Sequence, residues 1–184
     1  MTDRQASRVI DDSRLYAPAA LRNRAGLIAL LREVLPESGT VLEIASGTGE
    51  HAVAFAEAFP QLVFRPSEPN ATCRASIAAW IAASGVDNVL PPLALDAREP
   101  VWLSERVDAV LCINLLHLAA APIAAVMQGV GVTLKQGGVF VTYGPFTPEL
   151  TATITKAAGE NGLTHLPAIA MPDHHQALVF RLAL

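Results

Sequence analysis

The sequence predicts an α/β protein: a mainly parallel seven-stranded sheet with helices on both faces and an antiparallel hairpin at the carboxyl end. Three observations predict it. Short apolar runs alternate with stretches of helical periodicity along most of the chain, as strands joined by helical crossovers do. A turn with two glycines, "SGTG" (46–49), follows the first run and opens the next helical stretch, the arrangement that lets a ligand approach the backbone at a helix start. The last two apolar runs are separated only by "PDHH", too short for a parallel crossover, so they must pair antiparallel.

The elements follow in order. "PAALRNRAGLIALLREVL" (18–35) places Leu27, Ile28, Leu31, Val34 and Leu35 at helical spacing behind Pro18, a favoured first-turn residue. Residues 1–36 thus read as a helical lead into one domain spanning 1–184, a length that suits a single core. "TVLEIA" (40–45) is a short buried strand, and "GEHAVAFAEAFP" (49–60) a helix stopped at Pro60. "QLVFRPSEP" (61–69) is the second strand; "ATCRASIAAWIAASG" (71–85) is a helix ended by Gly85. "NVLPPLALD" (88–96) and "VDAVLCIN" (107–114) supply the third and fourth strands. A helix led by Pro122 covers 122–134, a fifth strand 137–146, and a helix 148–162 ends at Gly162. The hairpin strands are "LTHLPAIAM" (163–171) and "QALVFRLAL" (176–184).

Composition narrows the function. The chain is 52% hydrophobic and 16% charged, which excludes a disordered or fibrous protein. No apolar stretch approaches the roughly 20 residues that a membrane-spanning helix needs, and the polar opening "MTDRQASRVIDDSR" lacks the apolar core of a signal peptide. A net charge of −4 gives no reason to expect nucleic acid. Cys73 and Cys112 lie in unrelated segments, so free thiols in a reducing cytoplasm are expected. His174 and His175 lack an accompanying set of ligands, so no metal is expected.

The glycine turn is ambiguous by itself: Gly47, Gly49 and Ala52 also match the G-x-G-x-x-G/A form of NAD-binding loops. Glu43 separates the alternatives. A carboxylate inside a buried strand is costly without partners, and makes sense where it meets the loop and a cationic ligand. S-adenosyl-L-methionine (SAM) carries an ammonium and a sulfonium. Two further acids follow the next two strands. Glu68 lies 19 residues after Gly49, where an acid can accept both ribose hydroxyls. Asp96 closes "LALD", where it can cap the segment that follows.

Glu43-x-Ala45-x-Gly47-x-Gly49 resembles the acid-x-Gly-x-Gly-x-Gly loop of class I SAM-dependent methyltransferases, departing from it at Ala45. Those enzymes also end in an antiparallel hairpin. The resemblance implies a Rossmann-like class I methyltransferase fold and a cofactor site of Glu43, Ala45, Gly47, Gly49, Glu68, Asp96 and Asn114, which would hold SAM and its product S-adenosylhomocysteine. Nearly the whole chain is similar to a methyltransferase-like family known chiefly as a domain of unknown function. The similarity is carried by "YAPAALRNR" (16–24), "VLEIASGTGEHAVAFA" (41–56), "PSEPN" (66–70), "PPLALD" (91–96), "INLLHLA" (113–119) and "YGPF" (143–146). That family carries a longer stretch after "YGPF" than this chain does.

Methyl transfer needs alignment of an acceptor and, where required, removal of a proton. Asn114 and His117 lie just past the fourth strand and are the candidates for catalysis, His117 as general base. Tyr16, Asn23 and Tyr143 are candidates for holding a small-molecule acceptor. The expected function is SAM-dependent methyl transfer. Its rivals are a SAM-binding protein without catalysis, which the shortened segment favours, and an NAD-dependent oxidoreductase.

Overall fold

A computed structural model describes residues 13–118, 121–167, 169–171 and 175–184. Its elements are α1 (Pro18–Val34), β1 (Gly39–Ile44), α2 (Glu50–Ala58), β2 (Leu62–Pro66), α3 (Ala71–Ser84), β3 (Val107–Ile113), α4 (Ile123–Thr133), β4 (Leu134–Gly144), α5 (Pro148–Glu160), β5 (Leu163–His165), β6 (Ile169–Ala170) and β7 (Gln176–Leu182). Local chemistry sets several boundaries. Pro18 opens α1. The Asn70 side chain accepts the Thr72 and Cys73 N–H groups at the start of α3, and Gly85 ends that helix at φ 73°. Thr147 caps α5 by accepting the Leu150 N–H at 3.2 Å.

The strand order is β2-β1-β3-β4-β7-β5. Pairings β1/β2, β1/β3 and β3/β4 are parallel, whereas β7 is antiparallel to β4, β5 and β6. The sheet is therefore mixed and six strands wide, β5 and β6 sharing one edge, which corrects the expectation of a mainly parallel sheet seven strands across. The missing strand is 88–96, which touches β2 only through isolated bridges, Phe64 to Val89 and Ser67 to Leu93. Pro91 and Pro92 stand between those bridges, and proline has no N–H to continue a ladder. The expected strand over 163–171 is also divided. β5 and β6 occupy the outer edge of β7 at separate positions, with Pro167 between them. The antiparallel closure of the sheet is as expected.

Alternation along the strands divides the core between the two faces. Leu42, Ile44, Val110, Cys112, Phe140 and Phe180 pack beneath α4 and α5. Val41, Ala109, Leu111, Val141 and Val179 pack with Leu27, Leu31 and Phe55 of α1 and α2. The N-terminal helix is thus part of the main core. Glu43 shares the parity of Val41 and so points toward the α1/α2 face, at the carboxyl end of the central parallel strand. Among the described residues no helix is long and apolar enough to cross a membrane. Both cysteines are free thiols.

Candidate functional site

The chain leaves β1 through a left-handed turn. Ala45 has φ 54°, Gly47 φ 57° and Gly49 φ 98°. Glycine adopts such angles without strain, whereas alanine does so at a cost. Gly49 is required twice over, since a β-carbon there would lie 2.7 Å from the Ile77 Cα of α3. Open space surrounds the equivalent point at Gly47. The turn is tied to the end of β2: the Ser46 N–H donates to the Ser67 carbonyl at 2.9 Å. Glu68 Oε2 accepts the Gly47 N–H at 3.0 Å and Oε1 the Asn70 N–H at 3.1 Å.

Glu43 is 2% exposed. Its Oε2 is buried and has no hydrogen-bond partner. Burial pushes its carboxyl up to about 7, with hydrogen bonding from Ser46 working against that and the Glu68 charge adding to it. It stands at the floor of a cleft of about 240 Å³ whose walls include Ala17, Ala20, Gly47, His51 and Asn114. His51 Nε2 lies 2.8 Å from Asn23 Oδ1, and the ring stacks on Phe55 at 5.2 Å. Burial chiefly, and then the Arg24 charge, hold His51 down at about 4 against a hydrogen bond to the Ala20 backbone, so the imidazole is neutral at pH 7.

A second slot, of about 220 Å³, adjoins the first at Ala45 and is walled by Pro69, Leu95, Ala97, Leu115 and Pro122. Asp96 and Arg98 also line it. The Arg98 side chain and its own N–H hold the Asp96 carboxyl down at about 2. Asp96 therefore closes a tight turn and an ion pair as well as facing the slot.

Beyond β3, Asn114 takes φ 56° and its N–H donates to the Tyr143 carbonyl at 2.8 Å. Its side chain borders the first cleft. His117 lies against Gly144, where a β-carbon would come within 3.1 Å of Nδ1. That nitrogen is buried and without a partner. Burial first, and the nearby His175 second, lower the pKa of His117. Tyr143 is 3% exposed and belongs to the core, stacked on His175 at 5.0 Å. Tyr16 is 61% exposed and meets Trp80 edge-on at 5.2 Å. The structure thus brings Glu43, Ala45, Gly47, Asn114 and, through His51, Asn23 to one cleft, places Asp96 at the next, and sets Gly49, Glu68, His117, Tyr16 and Tyr143 outside both linings. Among the described residues no group of three or more His, Cys, Asp or Glu is arranged to hold a metal; His174 lies outside those residues.

The segment before α1 is tied to α2 and α3 by contacts that the sequence alone does not show. The Leu15 N–H donates to Ser76 Oγ at 2.8 Å, and Ser76 Oγ to the Thr48 carbonyl at 2.7 Å. Glu50 Oε2 accepts the Ala17 N–H and, at 2.9 Å, the Thr48 hydroxyl.

This architecture has close structural parallels among methyltransferases. The methyltransferase from Pyrococcus furiosus superposes with a TM-score of 0.76 at 14% identity, over 92% of this chain and 88% of its own. A SAM-dependent methyltransferase from Aquifex aeolicus gives 0.74 at 12% identity, over 91% and 94%. An O-methyltransferase family protein from Burkholderia thailandensis gives 0.71 at 17% identity; 90% of this chain spans only 57% of that one. The fold is that of the Rossmann-like methyltransferases. The particular family follows from the sequence: residues 14–153 match the model of the family "Protein of unknown function (DUF938)", and the chain belongs to it.

Proposed function

We propose that the protein is a SAM-dependent methyltransferase acting on a small-molecule acceptor in the cytoplasm. The observation that carries this reading is Glu43 Oε2, a buried carboxylate oxygen without a partner at the floor of a cleft beneath a glycine turn. A buried acid in that state calls for a cationic ligand. The methionine end of SAM would meet Glu43, with Asn114 and the Gly47 backbone beside it, the ribose hydroxyls would meet Glu68, and the base would enter the slot beyond Ala45. When bound, the cofactor supplies a methyl group already activated on a sulfonium. The chain's part is then to place the acceptor and accept its proton. The candidate for the second task is His117, which lines neither cleft but follows Asn114 by three residues and has its pKa lowered by burial.

A second reading, a SAM-binding protein without catalysis, is favoured by one feature. β4 ends at Gly144 and α5 begins at Pro148, leaving little chain to enclose an acceptor. Calorimetric titration with SAM, S-adenosylhomocysteine and NAD(H) tests the cofactor. Micromolar binding of the sulfur ligands, lost in Glu43→Ala, supports it; binding of NAD(H) alone would replace it with an oxidoreductase. Release of S-adenosylhomocysteine in an acceptor screen, reduced in His117→Ala, then separates the enzyme from the binding protein.

A further inference from the structure

We propose that Arg98, held flat by Asp96, forms the outer wall of the base slot and stacks on the purine, so that Asp96 acts through Arg98 rather than by touching the base. This rests on the cofactor reading above and assigns the residue that holds the base.

The slot's place in the fold identifies what enters it. Pro69, part of its wall, directly follows Glu68, so a ligand whose ribose sits at Glu68 carries its base into this space. Pro69, Leu95, Ala97, Leu115 and Pro122 give it apolar sides, suited to a flat heterocycle.

Asp96 is engaged chiefly by Arg98. Arg98 Nε lies 2.9 Å from Oδ1 and 3.1 Å from Oδ2. Arg98 Nη2 reaches Oδ2 at 2.5 Å, and the Arg98 backbone N–H reaches Oδ1 at 2.9 Å. Three N–H groups thus make four contacts with a carboxylate that has about four lone-pair sites. The three hydrogens occupy most of those sites, so the carboxylate is committed chiefly to Arg98. The same clamp fixes the guanidinium plane while 74% of the side chain stays exposed. A planar cation with an uncovered face, beside an apolar slot, is a stacking platform for a purine. Lysine has the charge without the plane.

Calorimetry with three ligands tests the assignment: S-adenosylhomocysteine, 5′-methylthioadenosine, which keeps base and ribose only, and S-inosylhomocysteine, which lacks the amino group. The proteins are wild type, Arg98→Ala, Arg98→Lys and Asp96→Asn, each first shown by circular dichroism to be folded. Arg98→Ala is expected to weaken S-adenosylhomocysteine and methylthioadenosine by the same factor, about tenfold. Arg98→Lys should recover little of this. Asp96→Asn should give a smaller loss by loosening the guanidinium. S-inosylhomocysteine should bind wild type within about threefold of the adenosine ligand, no amino-group contact being lost. Unchanged binding in Arg98→Ala, or full recovery in Arg98→Lys, overturns the stacking role. A large penalty for S-inosylhomocysteine that vanishes in Asp96→Asn assigns the base to Asp96 directly and overturns it too. Wild-type protein that binds none of the three removes the cofactor reading and this inference together, an outcome distinct from the others.

Discussion

Glu68 holds the glycine turn in shape: its Oε2 accepts the Gly47 N–H at 3.0 Å, while Oε1 accepts the Asn70 N–H at 3.1 Å. One carboxylate therefore links the turn after β1 to the start of α3. Glu68→Gln keeps a single acceptor oxygen and turns the other position into a donor facing an N–H. A loss of about 1–3 kcal/mol in urea unfolding is expected, together with at least tenfold weaker S-adenosylhomocysteine binding. Glu68→Asp, a methylene shorter, should fall between. Wild-type stability in Glu68→Gln would mean that the turn holds itself without this link.

Glu43 makes stability depend on pH in the direction opposite to an ordinary paired carboxylate. Its folded pKa is raised from 4.5 to about 7, so the folded protein prefers the protonated form. The associated stability is fully present below pH 4.5 and is lost as pH rises through 7. Glu43→Gln removes the titration while keeping the shape. In urea unfolding, the stability of Glu43→Gln relative to wild type should grow by about 3 kcal/mol between pH 4 and pH 8. A constant difference would show that the carboxyl titrates normally. A cationic ligand paired with Oε2 would reverse the shift, so binding at pH 6.5 should release protons, visible as heats that vary with buffer ionisation enthalpy.

What could be read from the sequence was what is local in it. Helix α1 was legible from the spacing of Leu27 and Leu31 behind Pro18, and α3 from its register and Gly85. Glu43 and the glycine turn were legible because an acid and two glycines stand within seven residues. The strand over 88–96 was misread because apolar content outweighed Pro91 and Pro92, which deny it a ladder. The contacts that tie the segment before α1 were not legible because they join distant positions, Leu15 to Ser76 and Ala17 to Glu50. Asp96 illustrates the middle case. Its position at the slot was foreseen, but not the Arg98 clamp two residues on, since only the folded turn shows which way the guanidinium goes.

Gly129 in α4 has no room for a side chain. A β-carbon there would lie 2.2 Å from Cε2 and Cζ2 of Trp102, a ring that is itself buried. Helix propensity alone would favour alanine by about 1 kcal/mol, but the clash must move either the indole or the helix. Gly129→Ala is therefore expected to destabilise by about 1–3 kcal/mol in thermal or urea unfolding. In a Trp102→Leu background the same change should cost much less, as a double-mutant cycle would record. An additive cycle would place the strain elsewhere.

Asn114 combines a backbone role with a side-chain one, and two substitutions separate them. Its φ of 56° is tolerated by asparagine and glycine and disfavoured for alanine. The N–H that donates to the Tyr143 carbonyl at 2.8 Å survives either change. Asn114→Ala should lose about 1 kcal/mol of stability, and Asn114→Gly little. The side chain borders the cleft, so if it holds the ligand both variants should weaken S-adenosylhomocysteine to a similar degree, about tenfold, despite their different stabilities. Wild-type affinity in Asn114→Gly alone would reduce the residue to a bearer of its backbone angle. Equal affinity loss with unequal unfolding midpoints would establish that the side chain touches the ligand.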